Sequence, residues 1–300
     1  MPLPSASSTR WSSSARRRPK TGTEPPPMFG GATILKVLGG AALVYAAFVA
    51  VVAFSQDSLI FPRWAMGSGT TPLPPEAARL TVRAASGEEL QGVHLPGTTD
   101  ASAPVLLGFG GNAWDADALA LYLRSVFPEH DIVTFHFRGY GPSEGRPSAS
   151  ALIADAPLLH DAVAERLTPR PIIPVGLSIG AGPAAEIAAG RDVAGMILVT
   201  PFDSLRSMAQ THYPWLPVRW LLRHRMEIAE AVARSEVPTA IITAERDSIV
   251  PARRSAPVRT AARNLVLDRV IAGAGHNDLY QHPDFRAAMA AALERIEAAG

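Results

Sequence analysis

Three hundred residues, 47% of them apolar, suit one large domain or two small ones with ample material for a core. A formal net charge of +1 gives no reason to expect nucleic acid or a strongly acidic partner. With no cysteine in the chain, disulfides, thiolate catalysis and cysteine-ligated metals are excluded.

Residues 1–28 are rich in Ser, Pro and Arg, carry Glu24 as their one acid, and hold a basic cluster of Arg16, Arg17, Arg18 and Lys20. They lack apolar periodicity and are expected not to pack. An Arg/Ser-rich, acid-poor leader of this kind also fits a transit peptide, and Met28 offers an alternative start. The run VLGGAALVYAAFVAVVAF, residues 37–54, then passes eighteen residues without a charge. As a helix it spans about 27 Å, close to the ~30 Å hydrocarbon core of a bilayer. With Phe29–Leu35 and a snorkelling Lys36 added, residues 29–55 read as an uncleaved transmembrane signal-anchor. A cleaved signal peptide is the rival, but the run exceeds a usual signal core and Val51-Val52-Ala53 is a weak cleavage site. The positive charges precede the span, so the expected topology is single-pass, with a cytoplasmic N-terminus and residues 56–300 on the opposite, periplasmic or extracytoplasmic side.

From residue 56 onward, short apolar runs alternate with helical patterns. The strands expected are Leu80–Arg83, Leu90–Leu95, Pro104–Phe109, Asp131–Phe137, Pro171–Gly176, Val193–Thr200, Thr239–Thr243 and Leu265–Ile271. The helices expected are Ala116–Val126, Ala149–Leu167, Ile179–Ala189 and Phe285–Ala299. An opening hairpin followed by strand–helix alternation implies an α/β class: a mainly parallel central sheet of about eight strands with helices on both faces. Residues 201–237 break the rhythm. They hold Tyr213, Trp215, Trp220, Leu221 and Leu222 among Arg219, Arg223 and Arg225, and read as a cap-like insertion.

Gly176-Leu177-Ser178-Ile179-Gly180 reads G-x-S-x-G. Ile172–Val175 before it suits a strand, although Pro174 would lose a ladder hydrogen bond. The Ala-rich stretch after it suits a helix. Pro183 fits there if the helix starts just past Ser178, because the first four N–H groups have no internal partner. In such a strand–turn–helix elbow the serine is strained, and flanking glycines avoid a clash.

A serine hydroxyl needs a base. Seven of the eight histidines sit in strand, helix or cap settings and read as ordinary. His276 lies in the loop GAGHND between the last strand and the last helix, where such sheets place their chemistry. Asp247, just past the strand that ends near Thr243, is the candidate to orient it. Glu245 and Asp278 hold smaller rival claims, and capping or pairing with Arg246 is the bland reading of Asp247. The order Ser178, Asp247, His276 matches one known triad order. An oxyanion is expected to be held by the Ile179 N–H and by a donor from the Gly-rich loop 108–115, with Asn112 N–H first and Gly111 next. No metal or cofactor is required.

These motifs resemble those of the α/β-hydrolase superfamily, and within it the Bem46/ABHD13/ABHD17-like membrane-anchored serine hydrolases. The resemblance rests on SQDSLIFP (55–62), GGNAWD (110–115), FRGYGPSEGRPS (137–148), GLSIGAGPA (176–184), RDSIVP (246–251) and GAGHNDL (273–279). Arg138 and Ser143 are expected to be structural. Gly110 stands where that group has His, and Ala244 stands near where it has Gly. The resemblance implies a serine esterase or thioesterase acting on acyl or lipid-like substrates. A peptidase-like amide hydrolase and a non-catalytic lipid- or partner-binding protein on the same fold are the alternatives. Trp114, Tyr213 and Trp215 are the candidate substrate contacts. The cap aromatics could equally pack on the core.

Overall fold

The computed structural model describes residues 30–63, 71–98, 103–167 and 169–299. The expectation made for residues 1–28 lies outside them. The chain divides into two compact units, Met1–Phe48 and Val49–Gly300. Helix α1, Gly31–Ile60, runs through the division. It is long and apolar enough to cross a membrane, and none of its most apolar window is buried within the molecule. Of its residues only Gln56 is buried, within the second unit.

That unit is built on one eight-stranded sheet. Its strands are β1 (Ala78–Arg83), β2 (Glu89–Leu95), β3 (Val105–Phe109), β4 (Ile132–Phe135), β5 (Ile172–Leu177), β6 (Met196–Val199), β7 (Thr239–Ala244) and β8 (Leu265–Ile271). The order across the sheet is β1-β2-β4-β3-β5-β6-β7-β8. β1 and β2 form an antiparallel hairpin, β2 pairs antiparallel with β4, and all pairs from β4 onward are parallel. β3 to β7 are buried on both faces, and accordingly they read as continuous apolar runs rather than as alternation.

Helices α2 (Ala116–Val126), α3 (Ala149–Leu167) and α4 (Ala181–Gly190) follow β3, β4 and β5. Two apolar clusters form the core. One holds α3 and α4 residues such as Leu152, Leu159, Ala184 and Ile187. The other holds Leu119 and Leu123 of α2 with Phe285, Met289 and Leu293 of the C-terminal helix α9 (Pro283–Glu297). The apolar residues of β3 to β7 are divided between these two clusters.

The strand expectations hold to within one to three residues at most ends. Pro174 sits inside β5 opposite Leu107 of β3, but pairing with β6 begins only at Val175. The missing N–H therefore falls where the β6 ladder has not yet started. Helix α8 (Ala252–Ala261) has no counterpart among the expectations. It buries only Ser255 and Val258 and carries Pro257 inside, so it lacks the apolar stripe that marks a helix in sequence. Between residues 201 and 237 lie α5 (Leu205–His212), α6 (Val218–Leu221) and α7 (Ile228–Arg234). The last buries Ile228, Ala231 and Val232 in the core, so that part of the segment packs as body.

Candidate active site

Parallel strands put the following loops on the carboxyl edge of the sheet, and the residues singled out from sequence lie there. Ser178 directly follows β5, with φ of 54°, a left-handed conformation that is rare for a residue other than glycine. The chain then makes a 3₁₀ turn, Ser178–Gly180, before α4 begins at Ala181. Pro183 is the third residue of α4, where no N–H partner is lost. The turn has no room for side chains on either flank. A Cβ on Gly176 would lie 2.5 Å from the Gly180 carbonyl oxygen, and one on Gly180 would collide with the Phe109 carbonyl.

Asp247 lies in the loop after β7 and His276 in the loop after β8. His276 Nδ1 is 2.7 Å from Asp247 Oδ2, and both residues are buried. The other carboxylate oxygen, Oδ1, accepts from the Ile249 N–H at 2.9 Å and the Val250 N–H at 2.6 Å. The carboxylate is thus held by its own loop, and its orientation requires a protonated Nδ1 on the imidazole. The two rival carboxylates brace the same region. Glu245 accepts from the Gly273 N–H at 2.8 Å, and Asp278 accepts from the Gly275 N–H at 2.6 Å. Both are committed to shaping the histidine loop.

A second buried His–Asp pair, His94 with Asp131 at 2.6 Å, lies elsewhere. Asp131 precedes β4, at the amino edge of the parallel strands, and Arg170 also binds it at 2.5 Å. Burial pushes the Asp131 carboxyl up, but the hydrogen bonds from His94 and Arg170 outweigh it, and the pKa lies below the ordinary aspartate value. Of the remaining histidines, His224 binds Asp57, His212 binds the Ile249 carbonyl, and His282 caps α9.

The Gly-rich loop after β3 passes beside the serine: a Cβ built on Gly111 would stand 3.7 Å from Ser178 Cβ. Asn112 uses both ends of its amide. Nδ2 donates to the Ile60 carbonyl at 2.5 Å, and Oδ1 accepts from the Tyr140 hydroxyl at 2.9 Å. The next residue, Ala113, is left-handed at φ 61°. Tyr140 and Ile60 escaped the sequence reading. Tyr140 lies inside the FRGYG segment, but nothing in its local pattern says that its hydroxyl reaches a loop 28 residues away. Within that segment Arg138 forks onto Asp155 at 3.0 and 2.5 Å, and Ser143 bridges the His136 carbonyl and the Gln91 N–H, both at 2.9 Å. A Cβ on Gly110 would sit 3.2 Å from Trp114 Cβ, so a larger residue there would press on the indole.

Trp114 packs edge-on against Tyr280, with ring centres 4.8 Å apart, and lies 5.4 Å from Tyr122. Tyr213 and Trp215, between α5 and α6, form an edge-to-face pair, each about half exposed. Ile179 is buried.

A serine in a strained strand-to-helix turn, on the edge that also carries a buried His–Asp pair, defines a recognisable class. A sequence profile of the alpha/beta hydrolase family matches residues 93–234. The chain belongs to the α/β-hydrolase superfamily. It is 32% identical over 252 residues to the protein MT2364 of Mycobacterium tuberculosis (strain CDC 1551 / Oshkosh), covering 81% of this chain and 88% of that one. It is 31% identical over 171 residues to the lysophosphatidylserine lipase ABHD12 of Danio rerio, covering 50% of this chain and 45% of that one. Among solved structures, the esterase Pf2001 of Pyrococcus furiosus superposes with a TM-score of 0.61 at 14% identity, covering 77% of this chain and 97% of that one. The protein is an α/β hydrolase with esterase- and lipase-like neighbours.

Proposed function

We propose that the protein is a membrane-anchored serine hydrolase that cleaves ester or thioester bonds of acyl, lipid-like substrates through an acyl-enzyme. The observation that carries this reading is the left-handed Ser178 at the end of β5, on the same sheet edge as the His276–Asp247 pair.

Ser178 is the nucleophile. His276, with its Nδ1 proton directed at Asp247, leaves Nε2 as the basic atom that takes the Ser178 proton as Oγ attacks the acyl carbonyl. The carbonyl π pair moves to oxygen, and the Ile179 and Asn112 N–H groups hold that oxyanion. Collapse expels the alcohol or thiol, which receives the proton from Nε2. Water, deprotonated by the same Nε2, then attacks the acyl-serine, and the carboxylic acid leaves as Ser178 recovers its proton. Asp247 holds the imidazole tautomer and stabilises its cation throughout.

A lipid-like substrate is supported by the apolar helix α1 and by the relative named as a lysophosphatidylserine lipase. Residues 29–55 serve as the anchor. The basic cluster before it puts the N-terminus on the cytoplasmic side and the catalytic unit across the bilayer. Trp114, Tyr213 and Trp215 contact the acyl chain. The test is fluorophosphonate labelling and ester turnover of the membrane fraction, wild type against Ser178→Ala. Both are expected to vanish in the variant, and undiminished labelling overturns the assignment.

A further inference from the structure

The segment that follows the apolar run is part of the folded catalytic unit. Gln56 lies two residues past Phe54, the last of the eighteen uncharged positions, which is about 3 Å of helix. Its amide grips the cap backbone from both ends: Nε2 donates to the Leu221 carbonyl at 3.3 Å, and Oε1 accepts from the Arg223 N–H at 2.8 Å. One residue on, Asp57 accepts from His224 Nε2 at 2.8 Å and from Arg223 at 3.4 Å. Phe61 is buried edge-on against the His224 ring, with centres 5.2 Å apart. Residues 221–224 are therefore fastened to residues 56–61, the stretch that directly follows the anchor.

The surface beside that joint has the chemistry of a membrane interface. Trp220 is 80% exposed, and Tyr213 and Trp215 are about half exposed. Arg219, Arg223 and Arg225 are exposed among them. From Ser204 to Met226 the chain carries four arginines and no acidic residue, in a protein whose overall charge is close to balanced. Amphipathic aromatic rings settle at the headgroup level of a bilayer, and each arginine near an anionic surface adds attraction. The other end of this surface reaches the site: His212 Nε2 bonds the Ile249 carbonyl at 2.8 Å, two residues from Asp247.

We propose that the cap surface formed by Tyr213, Trp215, Arg219, Trp220 and Arg223 docks on the anionic headgroups and upper acyl chains of the bilayer that the anchor enters. The protein then holds its membrane at two points, helix α1 and the cap, which are joined through Gln56 and Asp57. The mouth of the site beside Ile249 faces the lipid surface, so an acyl substrate passes from the bilayer along the cap without crossing bulk water. This inference rests on the membrane-anchor reading of residues 29–55.

The chain has no cysteine, so one introduced thiol reports one place. The full-length protein is reconstituted in vesicles of equal parts phosphatidylcholine and phosphatidylglycerol. It carries an environment-sensitive fluorophore at Trp220→Cys, at Leu43→Cys in the span, or at Glu165→Cys on the exposed face of α3. All three positions are exposed in the fold, and fluorophosphonate labelling confirms that each variant is folded. The expected result is that lipid brominated high on its chains quenches the labels at 220 and 43, while aqueous iodide quenches the label at 165. A label at 220 as iodide-accessible as that at 165, with the label at 43 in lipid, overturns the docking surface and leaves the anchor standing. An aqueous label at 43 overturns the anchor and the docking surface with it.

Discussion

Replacing Asp247 by Asn separates orientation of the imidazole from support of the loop. In the native site Oδ1 accepts from two backbone N–H groups, at 2.9 and 2.6 Å, while Oδ2 faces His276 Nδ1 at 2.7 Å. An asparagine must keep its oxygen toward Ile249 and Val250, because its NH₂ cannot accept from them. The NH₂ then points at Nδ1, which has to become the acceptor. The imidazole proton moves to Nε2, the atom that should take the Ser178 proton, and the base is lost. A wrong tautomer of this kind lowers kcat by about 10⁴ in the well-studied triad enzymes, which corresponds to about 5 kcal/mol of barrier. Stability should change little, since the loop bonds survive. Asp247→Ala removes the acceptor as well and leaves the buried Val250 N–H without it, at a cost of about 1–3 kcal/mol. In a domain of this size that is a fall in Tm of roughly 2–12 °C. The assay is turnover of a short p-nitrophenyl ester with thermal unfolding measured in parallel. Asp247→Asn retaining more than about a tenth of wild-type kcat, against the 10⁴-fold loss expected of a tautomer switch, refutes the reasoning.

Other consequences can be checked independently. Asn112→Ala cuts the ties to Ile60 and Tyr140, loosening the loop proposed to supply the second oxyanion donor. A fall in kcat of about tenfold, below the 10²–10³ of outright donor removal, is expected with KM little changed. Tyr140→Phe should reproduce part of that fall, and a change confined to KM would argue against the positioning role. Gly180→Ala drives a methyl into the Phe109 carbonyl and should lower Tm well beyond the ordinary cost of a surface substitution, which is within about 0.5 kcal/mol. An unchanged melting curve would show that the turn is looser than described. The Asp131 pKa is depressed in the fold, so the unfolded chain binds its proton first as pH falls. Its stabilisation is present above the unfolded value and is lost below about pH 4 as pH drops through the folded one. Asp131→Asn should therefore destabilise the protein at neutral pH and flatten the acid limb of its stability curve, as followed by urea unfolding across that range.

Local signals in the sequence carried much of the architecture. Continuous apolar runs marked the buried strands β3 to β7, and the alternation with Ala- and Leu-rich helices implied a parallel sheet. Pro183 could be read as marking the start of α4, because the missing N–H has a positional meaning that is purely local. Ser178, Asp247 and His276 stood out since each sits in a loop directly after a strand, and strand direction alone decides which edge those loops share. Helix α8 was illegible: its buried face is two residues, too short for a period to show. The joining of residues far apart in the chain was equally illegible. Nothing near Asn112 says that its amide bridges Ile60 and Tyr140, and nothing near Gln56 says that it holds the backbone of residues 221 and 223. His94 and Asp131 form a pair as close as His276 and Asp247, but Asp131 precedes its strand β4 and so lies on the opposite edge of the sheet. Periodicity and turn chemistry are properties of neighbouring residues and survive in a one-dimensional string. Hydrogen bonds between distant loops depend on how β3, β4, β7 and β8 stack side by side, and that geometry exists only once the sheet has formed.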